Sequence, residues 1–399
     1  MRLSGITDSS PIRVTVSHHL QPKMQGLIYF RNKDTMHLED FAGEVDAFSF
    51  GLPEKLDVNS RQKVEKKYFR IVFEGSLMKV VRVSAPPREL YGPSGKNRIK
   101  VMHQSDTHFG YLPYPHYLNE YYRRTFAKDL RDCDIFVHSG DLFERSALDS
   151  PEKSKRMVID GSAYVAFLKE YIGKEGKPLV FTNGNHCDSI LYGKKRRKGP
   201  GPEKDFFNAC LQEMGVRESE VYLDLSGREK TKEEVLEQGG YVFGKVHELK
   251  DVLEELGGPA ENIYLFGVCH NEFEIGDPKL HGIFAGHFNG GGRNIVLGDS
   301  FKAYKPLIGR SLSAKKKQRY DPKGYGHSIY FDKKSRSLKF HSGTFGSWTV
   351  HTFYKGDLEH SRFNIVQRNG LYVVDIDAKA LLEHSGHRNL SRLYARVIT

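Results

Sequence analysis

The stretch RIKVMHQSDTH, residues 98–108, is the one to read first. A short apolar run, too brief for a helix, ends in a polar cluster containing Asp106 and His108. The same form recurs at CDIFVHSGD (133–141), KPLVFTNGNH (177–186), NIYLFGVCH (262–270) and HGIFAGH (281–287). Helix-like stretches separate the runs, among them NEYYRRTFAKDL (119–130), SKRMVIDGSAYVAFLKEYIG (154–173), DFFNACLQEM and VHELKDVLEEL. Alternation of short strands and helices predicts an α/β layered core with largely buried strands. Residues at the carboxyl ends of such strands converge on one edge of the sheet, where ligands bind in open α/β folds. Five strand ends, each offering His, Asp or Asn, are expected to meet there.

Outside this segment the chain reads differently. Residues 1–84 contain short, partly alternating strand-like runs such as IRVTVSHHL, GLIYF, YFRIVFEG and LMKVVRV, which predict a small N-terminal all-β module of unknown role. Residues 85–97 lie in a Pro- and Gly-bearing stretch that reads as a linker. The α/β segment is set at 98–345, and the strand-like runs of 346–399 predict a C-terminal strand-rich extension or cap. A chain of 399 residues is long enough for two or three modules.

Lys and Arg exceed Asp and Glu by 61 − 50 = +11, which favours an anionic partner. Two basic runs, Lys194–Lys198 and Lys315–Arg319, sit among Gly, Pro and Ser and read as exposed loops suited to a polyanion such as nucleic acid. With 38% hydrophobic residues the chain is not of the disordered class. Its four cysteines, Cys133, Cys187, Cys210 and Cys269, form no CxxC pair, so a zinc ribbon is not expected and a reducing compartment is. The N-terminus shows no apolar secretory segment, and no run of about 18 apolar residues exists for a membrane span. A cytoplasmic protein without membrane contact is therefore expected, of oligomeric state that the sequence leaves open.

The donor types at the strand ends define a chemistry. Asp106 and His108 form a D-x-H pair, whose two side chains emerge on the same side of an extended strand end. Gly140-Asp141, Gly184-Asn185-His186, His270 and Gly286-His287 follow in order. Oxygen and imidazole donors of this kind suit divalent Mn, Fe, Zn or Mg rather than Cu(I) or iron–sulfur clusters. A single carboxylate can bridge two cations, and Asp141 is the natural candidate. Asn185 contributes a neutral carbonyl oxygen. Two cations about 3.5–4 Å apart polarise a phosphoryl group and activate water.

The ordered set D-x-H, G-D, G-N-H, H, G-H resembles the calcineurin-like metallophosphoesterase superfamily over residues 98 to about 340. The resemblance implies a four-layer β-sandwich flanked by helices, with a dinuclear centre at one edge and a bridging hydroxide as nucleophile. It implies that Asp106, His108 and Asp141 hold the first metal, and Asp141, Asn185, His270 and His287 the second, with two ions of which Mn is the leading choice. It further implies that His186 stands beside the phosphate as proton donor or charge stabiliser. HQSDTHFGY and SGDLFE are similar to the openings of SbcD-type DNA repair nucleases, so nucleic-acid phosphodiesters are the expected substrate; phosphomonoesters and phosphoproteins are the near alternative. A polyanion-binding scaffold with a degenerate site is the alternative of another class. The chain departs from the pattern in three places: the preceding β module, Cys187 interrupting GNHD, and Asn289 where the last motif usually places a second His. Asn289 is expected to ligate through its carbonyl oxygen, to hold a water, or to leave the first metal more weakly bound. His247 and His281 rival His270 as the fifth ligand position. His103 and His138 read as core histidines, and Cys187 as a buried thiol.

Overall fold

The computed structural model describes residues 2–4, 13–15, 67–74, 77–83, 98–109, 120–173, 176–192, 203–258, 260–271, 280–287, 327–332, 337–341, 348–354, 357–367, 372–379 and 392–395. Asn289, the basic runs Lys194–Lys198 and Lys315–Arg319, and the strand-like NIVLGDSFKAY (294–304) lie outside them.

The strands in chain order are β1 (Arg2–Ser4), β2 (Arg13–Thr15), β3 (Lys67–Glu74), β4 (Leu77–Val83), β5 (Arg98–Gln104), β6 (Ile135–His138), β7 (Leu179–Phe181), β8 (Val216–Arg217), β9 (Val221–Leu223) and β10 (Gly240–Lys245). They continue as β11 (Ile263–Cys269), β12 (Gly282–Ala285), β13 (His327–Asp332), β14 (Ser337–His341), β15 (Trp348–Tyr354), β16 (Asp357–Gln367), β17 (Tyr372–Asp377) and β18 (Arg392–Ala395). β1 and β2 pair with each other. The others form a nine-stranded sheet, β4-β3-β17-β16-β15-β5-β6-β7-β8, and a seven-stranded sheet, β18-β13-β14-β12-β11-β10-β9.

The period of two along each strand makes the layers. On β5, Ile99 and Val101 face one way, into a cluster with Phe243, Phe266 and Phe284 of the other sheet. Met102 faces the other way, into a cluster with Phe126, Leu130, Tyr164 and Phe167. Those residues come from helices α1 (Glu120–Asp132) and α2 (Pro151–Leu168). The helices α3 (Asn185–Leu191) and α4 (Glu203–Glu213) add Ile190 and Phe207 to that layer. On the far side, α5 (Lys232–Gln238) and α6 (Glu248–Glu255) bring Val235, Leu249 and Val252 against Val242 and Leu265. Two sheets packed face to face with helices outside both give the four-layer α/β sandwich. Between the sheets, aromatic rings fill the space: Phe243 stacks on Phe266 at 5.1 Å, and Phe266 meets Phe353 at 4.6 Å.

Local chemistry sets the helix starts. Ser150 caps α2 by accepting from Lys153 N–H, with Pro151 at the first helical position. Thr231 and Glu234 close a reciprocal capping box on α5. The sequence pattern did not announce α3 or α5, each seven residues long. Two turns of helix give a periodicity too short to read.

Pairing within the sheets aims the strand ends. β5, β6 and β7 run parallel, as do β11 and β12, so residues 105–109, 139–144, 182–186, 270 and 286–287 leave the strands at one edge. β15 lies antiparallel against β5, with Thr349 opposite His103. β17 runs parallel to β3, which carries its hairpin partner β4 into the same sheet. The segments that the sequence set apart, 1–84 and 346–399, thus contribute strands 67–83 and 348–377 to the sheet that holds β5. Alternation identifies a strand but carries no label for its partner.

One ion network ties the hairpin in place. Asp375 of β17 is fully buried, 3.1 Å from Arg70 Nε of β3 and within 2.5 Å of Arg362 on β16. Removing one partner of a buried pair leaves uncompensated charge and costs about 3–5 kcal/mol. Asp375→Ala is expected to lower unfolding free energy by an amount of that order and to raise hydrogen exchange first in β3 and β4. Chemical denaturation and exchange mass spectrometry check both.

Candidate metal centre

Four non-glycine residues among those described have positive φ: Asp106 at 51°, His108 at 48°, Asp141 at 53° and His287 at 49°. Left-handed backbone costs of order 1–3 kcal/mol at such residues and persists where the surroundings over-determine it. Here a ladder of loop hydrogen bonds does so. Asp106 N–H donates to Gly140 O at 2.9 Å, His108 N–H to Asp141 O at 3.0 Å, and Phe109 N–H to Leu142 O at 3.0 Å. The loops after β5 and β6 therefore continue as paired backbone beyond the strands. Two glycines admit the carboxylates. A Cβ on Gly184 would lie 2.1 Å from Asp141 Oδ1, and one on Gly286 would lie 2.1 Å from Ser105 Oγ and 2.8 Å from Asp106 Oδ2.

The side chains form two adjoining sets. In the first, His108 Nε2 faces Asp106 Oδ1 at 3.5 Å and Asp141 Oδ2 at 3.8 Å. Asp106 Oδ2 accepts from Ser105 O–H at 2.6 Å and His287 N–H at 3.0 Å, so Oδ1 is the oxygen turned towards His108. In the second, His270 Nε2 lies 3.2 Å from Asp141 Oδ2, 3.2 Å from Asn185 Oδ1 and 3.1 Å from His287 Nδ1. His270 Nδ1 faces the Ser139 carbonyl oxygen at 2.8 Å. A nitrogen against a carbonyl must carry its hydrogen, so the neutral ring presents a lone pair at Nε2. That lone pair then converges with a carboxylate oxygen, an amide oxygen and a second imidazole nitrogen. Converging acceptors with few protons between them fit a cation. Asp141 Oδ2 belongs to both sets, and Asp141 Oδ1 is occupied by the His186 N–H at 2.8 Å.

The charges are consistent with that reading. Burial opposes ionisation of Asp106 and Asp141, but hydrogen bonds from His108 and Ser105 to Asp106, and from His270 to Asp141, hold both below the usual carboxylate range. Burial pushes the His108 ring down, yet its contacts with Asp106 and Glu144 raise it to about 9. Burial likewise opposes the charge on His270, and the Asp141 and Asp106 carboxylates raise that ring to about 9. His287 is pushed down by burial and then by the neighbouring His270.

The structure brings Asp106, His108, Asp141, Asn185, His186, His270 and His287 to one edge, with Asn289 outside the described residues. Of the rivals to His270, His281 lies at the opposite end of its strand and accepts from Leu265 N–H, while His247 is exposed beside Glu248. His103 is buried against Ser139 and Phe284. His138 stacks on Phe181, its Nδ1 accepting from Gly140 N–H at 3.3 Å. The four cysteines are buried and unbridged, and burial pushes the Cys187 thiol up to about 12.

Sequence reading missed Glu144. It is 2% exposed, with one oxygen 3.1 Å from His108 Nδ1 and the other 3.0 Å from His186 Nδ1. Burial resists its charge, but the two imidazoles hold it far below the usual range. The signal lay in view three residues after Asp141, in SGDLFE. Burial lowers the His186 ring and the Glu144 carboxylate pulls it back.

Gly286→Ala is expected to displace Asp106 and lower metal affinity by about ten- to hundredfold, the scale of a supporting-contact mutation, as read by competition with a fluorescent chelator. Protons must leave His108 and His270 when cations bind. Between their ordinary value of 6.5 and about 9 these rings are charged in chelated protein, so metal affinity should rise with pH across that window. Calorimetry in buffers of different ionisation enthalpy should show release approaching two protons at pH 7. The sign reverses for the stability of the chelated protein. Rings raised above their unfolded value stabilise the fold below 6.5, and this contribution is lost as pH rises through about 9.

Comparison with known proteins agrees with the site. No curated protein matches the chain. A crystal structure titled as a cold-active protein-tyrosine phosphatase of a psychrophile Shewanella species aligns over 77% of this chain and 97% of that one, at 12% identity and a TM-score of 0.27, too loose a likeness to carry argument. Residues 99–289 match the family described as calcineurin-like phosphoesterase, a span that starts on β5 and ends two residues past His287. With candidate donor groups at the strand ends of that span, the match of residues 99–289 to a calcineurin-like phosphoesterase domain indicates a metal-dependent phosphoric ester hydrolase.

Proposed function

We propose that this phosphoesterase works at a dinuclear centre and cleaves phosphodiesters of nucleic-acid type. Asp106, His108 and Asp141 hold the first cation, and Asp141, Asn185, His270 and His287 the second. The observation that supports two sites rather than one is the sharing of Asp141 Oδ2 between His108 Nε2 and His270 Nε2. Bound divalent cations, Mn first among Mn, Fe, Zn and Mg, would polarise the phosphoryl oxygens and lower the pKa of water. The rest of the chemistry falls to the chain. Asp141, held in its rotamer by the His186 N–H, balances cationic charge at the centre. Asn185 adds an oxygen without adding negative charge. His186, whose Nε2 is 4.0 Å from Asp141 Oδ2, stands at the rim of the donor sets. From there it supplies a proton to the leaving oxygen or stabilises charge on the phosphate.

The phosphodiester preference draws on the net charge of +11 and on the basic runs Lys194–Lys198 and Lys315–Arg319. The first run begins eight residues after His186 in sequence. Asn289 replaces a second histidine, and its amide leaves the first cation more weakly held or more hydrated.

Purified protein with added Mn²⁺ should hydrolyse bis-p-nitrophenyl phosphate and labelled DNA faster than p-nitrophenyl phosphate. The reverse order would favour phosphomonoester or phosphoprotein substrates, and hydrolysis of none with metal bound would favour a polyanion-binding scaffold. Asp141→Asn and His186→Ala should each lower turnover at least about a hundredfold, the scale of one general acid or oxyanion donor; unchanged turnover in either refutes its role. Asn289→His should tighten metal retention on dialysis, and an unchanged affinity would place Asn289 away from the first cation.

A further inference from the structure

We propose that Tyr192 is a stacking platform for a base of single-stranded nucleic acid whose phosphodiester lies at the metal centre. The proposal deepens the phosphodiester reading above and rests on it for the class of substrate. Among the described residues only two large hydrophobic side chains are exposed, Val158 at 37% and Tyr192 at 73%. A single exposed aromatic is ordinary on a protein surface; the position of this one gives it meaning. Tyr192 ends α3, the helix whose first residue is the donor Asn185. Its backbone keeps right-handed helical geometry, φ −111° and ψ −1°, and its N–H still donates to Asp188 O at 2.9 Å. Tyr192 therefore continues the register of α3.

Helix positions separated by three, four and seven residues share a face. On α3 that face is the one open to solvent: Asn185, Asp188 and Tyr192 are exposed and Ser189 is half-buried. The other face, with His186, Cys187, Ile190 and Leu191, is buried. Cys187, Ile190 and Leu191 join the cluster that includes Phe207 of α4, so the open face sits on a fixed element. Tyr192 lies seven residues after Asn185, about 10 Å along the axis at a rise of about 1.5 Å per residue. That span is about three nucleotides along a duplex strand, each rising about 3.4 Å, and fewer along an extended one. A strand cleaved at the metal centre and following this face thus brings a nearby base to the Tyr192 ring.

Charge on the face selects what the ring meets. Asp188 stands between the two ends, and its carboxylate opposes a phosphate there. An uncharged ring is the suitable partner. Base faces are covered by their neighbours in a duplex and open in a single strand, where aromatic side chains stack on them. Such platforms work beside positive charge, and in the sequence Lys194–Lys198 begins two residues after Tyr192.

The test uses the full chain with added Mn²⁺ and two strands of equal length, an oligothymidylate and a stable abasic analogue with the same phosphates. The chain has one tryptophan, Trp348, and it is fully buried. Tyr192→Trp therefore adds an exposed reporter whose emission falls when a base stacks on it. Oligothymidylate should quench it saturably and the abasic strand should not; equal behaviour of the two strands overturns the proposal. The second readout is kcat/KM on oligothymidylate divided by kcat/KM on bis-p-nitrophenyl phosphate. Tyr192→Ala and Tyr192→Leu should lower this ratio about five- to hundredfold, the worth of one stacked base, while Tyr192→Phe and Tyr192→Trp should keep it. A ratio preserved in Tyr192→Leu assigns Tyr192 to bulk rather than stacking, and one preserved in Tyr192→Ala leaves it no role; either overturns the proposal. Failure of the phosphodiester reading is distinct. Selective quenching by oligothymidylate without cleavage of any strand keeps the subsite and sinks the nuclease reading. Cleavage at the same ratio in wild type and Tyr192→Ala does the reverse, and neither quenching nor cleavage sinks both.

Discussion

Everything at the candidate metal centre depends on one requirement: a carboxylate, Asp141, buried where water cannot solvate it. A buried charge needs partners, and this one takes the His186 N–H on one oxygen and imidazole nitrogens around the other. Placing it there demands positive φ at Asp141 and a glycine at 184, because any Cβ at Gly184 would strike Oδ1. The strain is offset by the backbone ladder that runs on between the β5 and β6 loops. The site is thus rigid because it extends the sheet, not because loops happen to meet above it.

The two sheets cooperate at the same point. The nine-stranded sheet supplies Asp106, His108 and Asp141, followed by Asn185 and His186 after β7. The seven-stranded sheet supplies His270 and His287. They are joined across the edge by His287 N–H to Asp106 and by His270 Nδ1 to Ser139 O. The aromatic filling between the sheets, centred on Phe266 and Phe284, therefore has a functional consequence. It fixes the spacing between donors that come from different sheets, and close packing makes that spacing stiff. A cation bridged by donors from both would stabilise the sandwich as well as the chemistry.

Much of this was legible in the order of residues. Short apolar runs, each ending in His, Asp or Asn, point to parallel strands whose ends converge. The chemistry of the donors identifies a site for divalent cations before any fold is known. Glu144 was not legible in this way. A glutamate in a turn is ordinary, and only the tertiary arrangement shows it buried between two imidazoles from different loops. The partners of the flanking strands were hidden for a related reason. The pattern of WTVHTFY declares a strand, but backbone hydrogen bonds carry no sequence label, so neither the burial of both its faces nor its place beside β5 could be read.

By itself, then, the sequence determined the strand-end donors, their order, and the class of chemistry they support, because side-chain type and period are local properties. The tertiary structure alone decided that Asp141 Oδ2 faces both imidazole sets, that Glu144 faces two rings, and that residues 67–83 and 348–377 complete the sheet. Those are relations between segments far apart in the chain, and they exist only once burial has forced each polar group to find a partner.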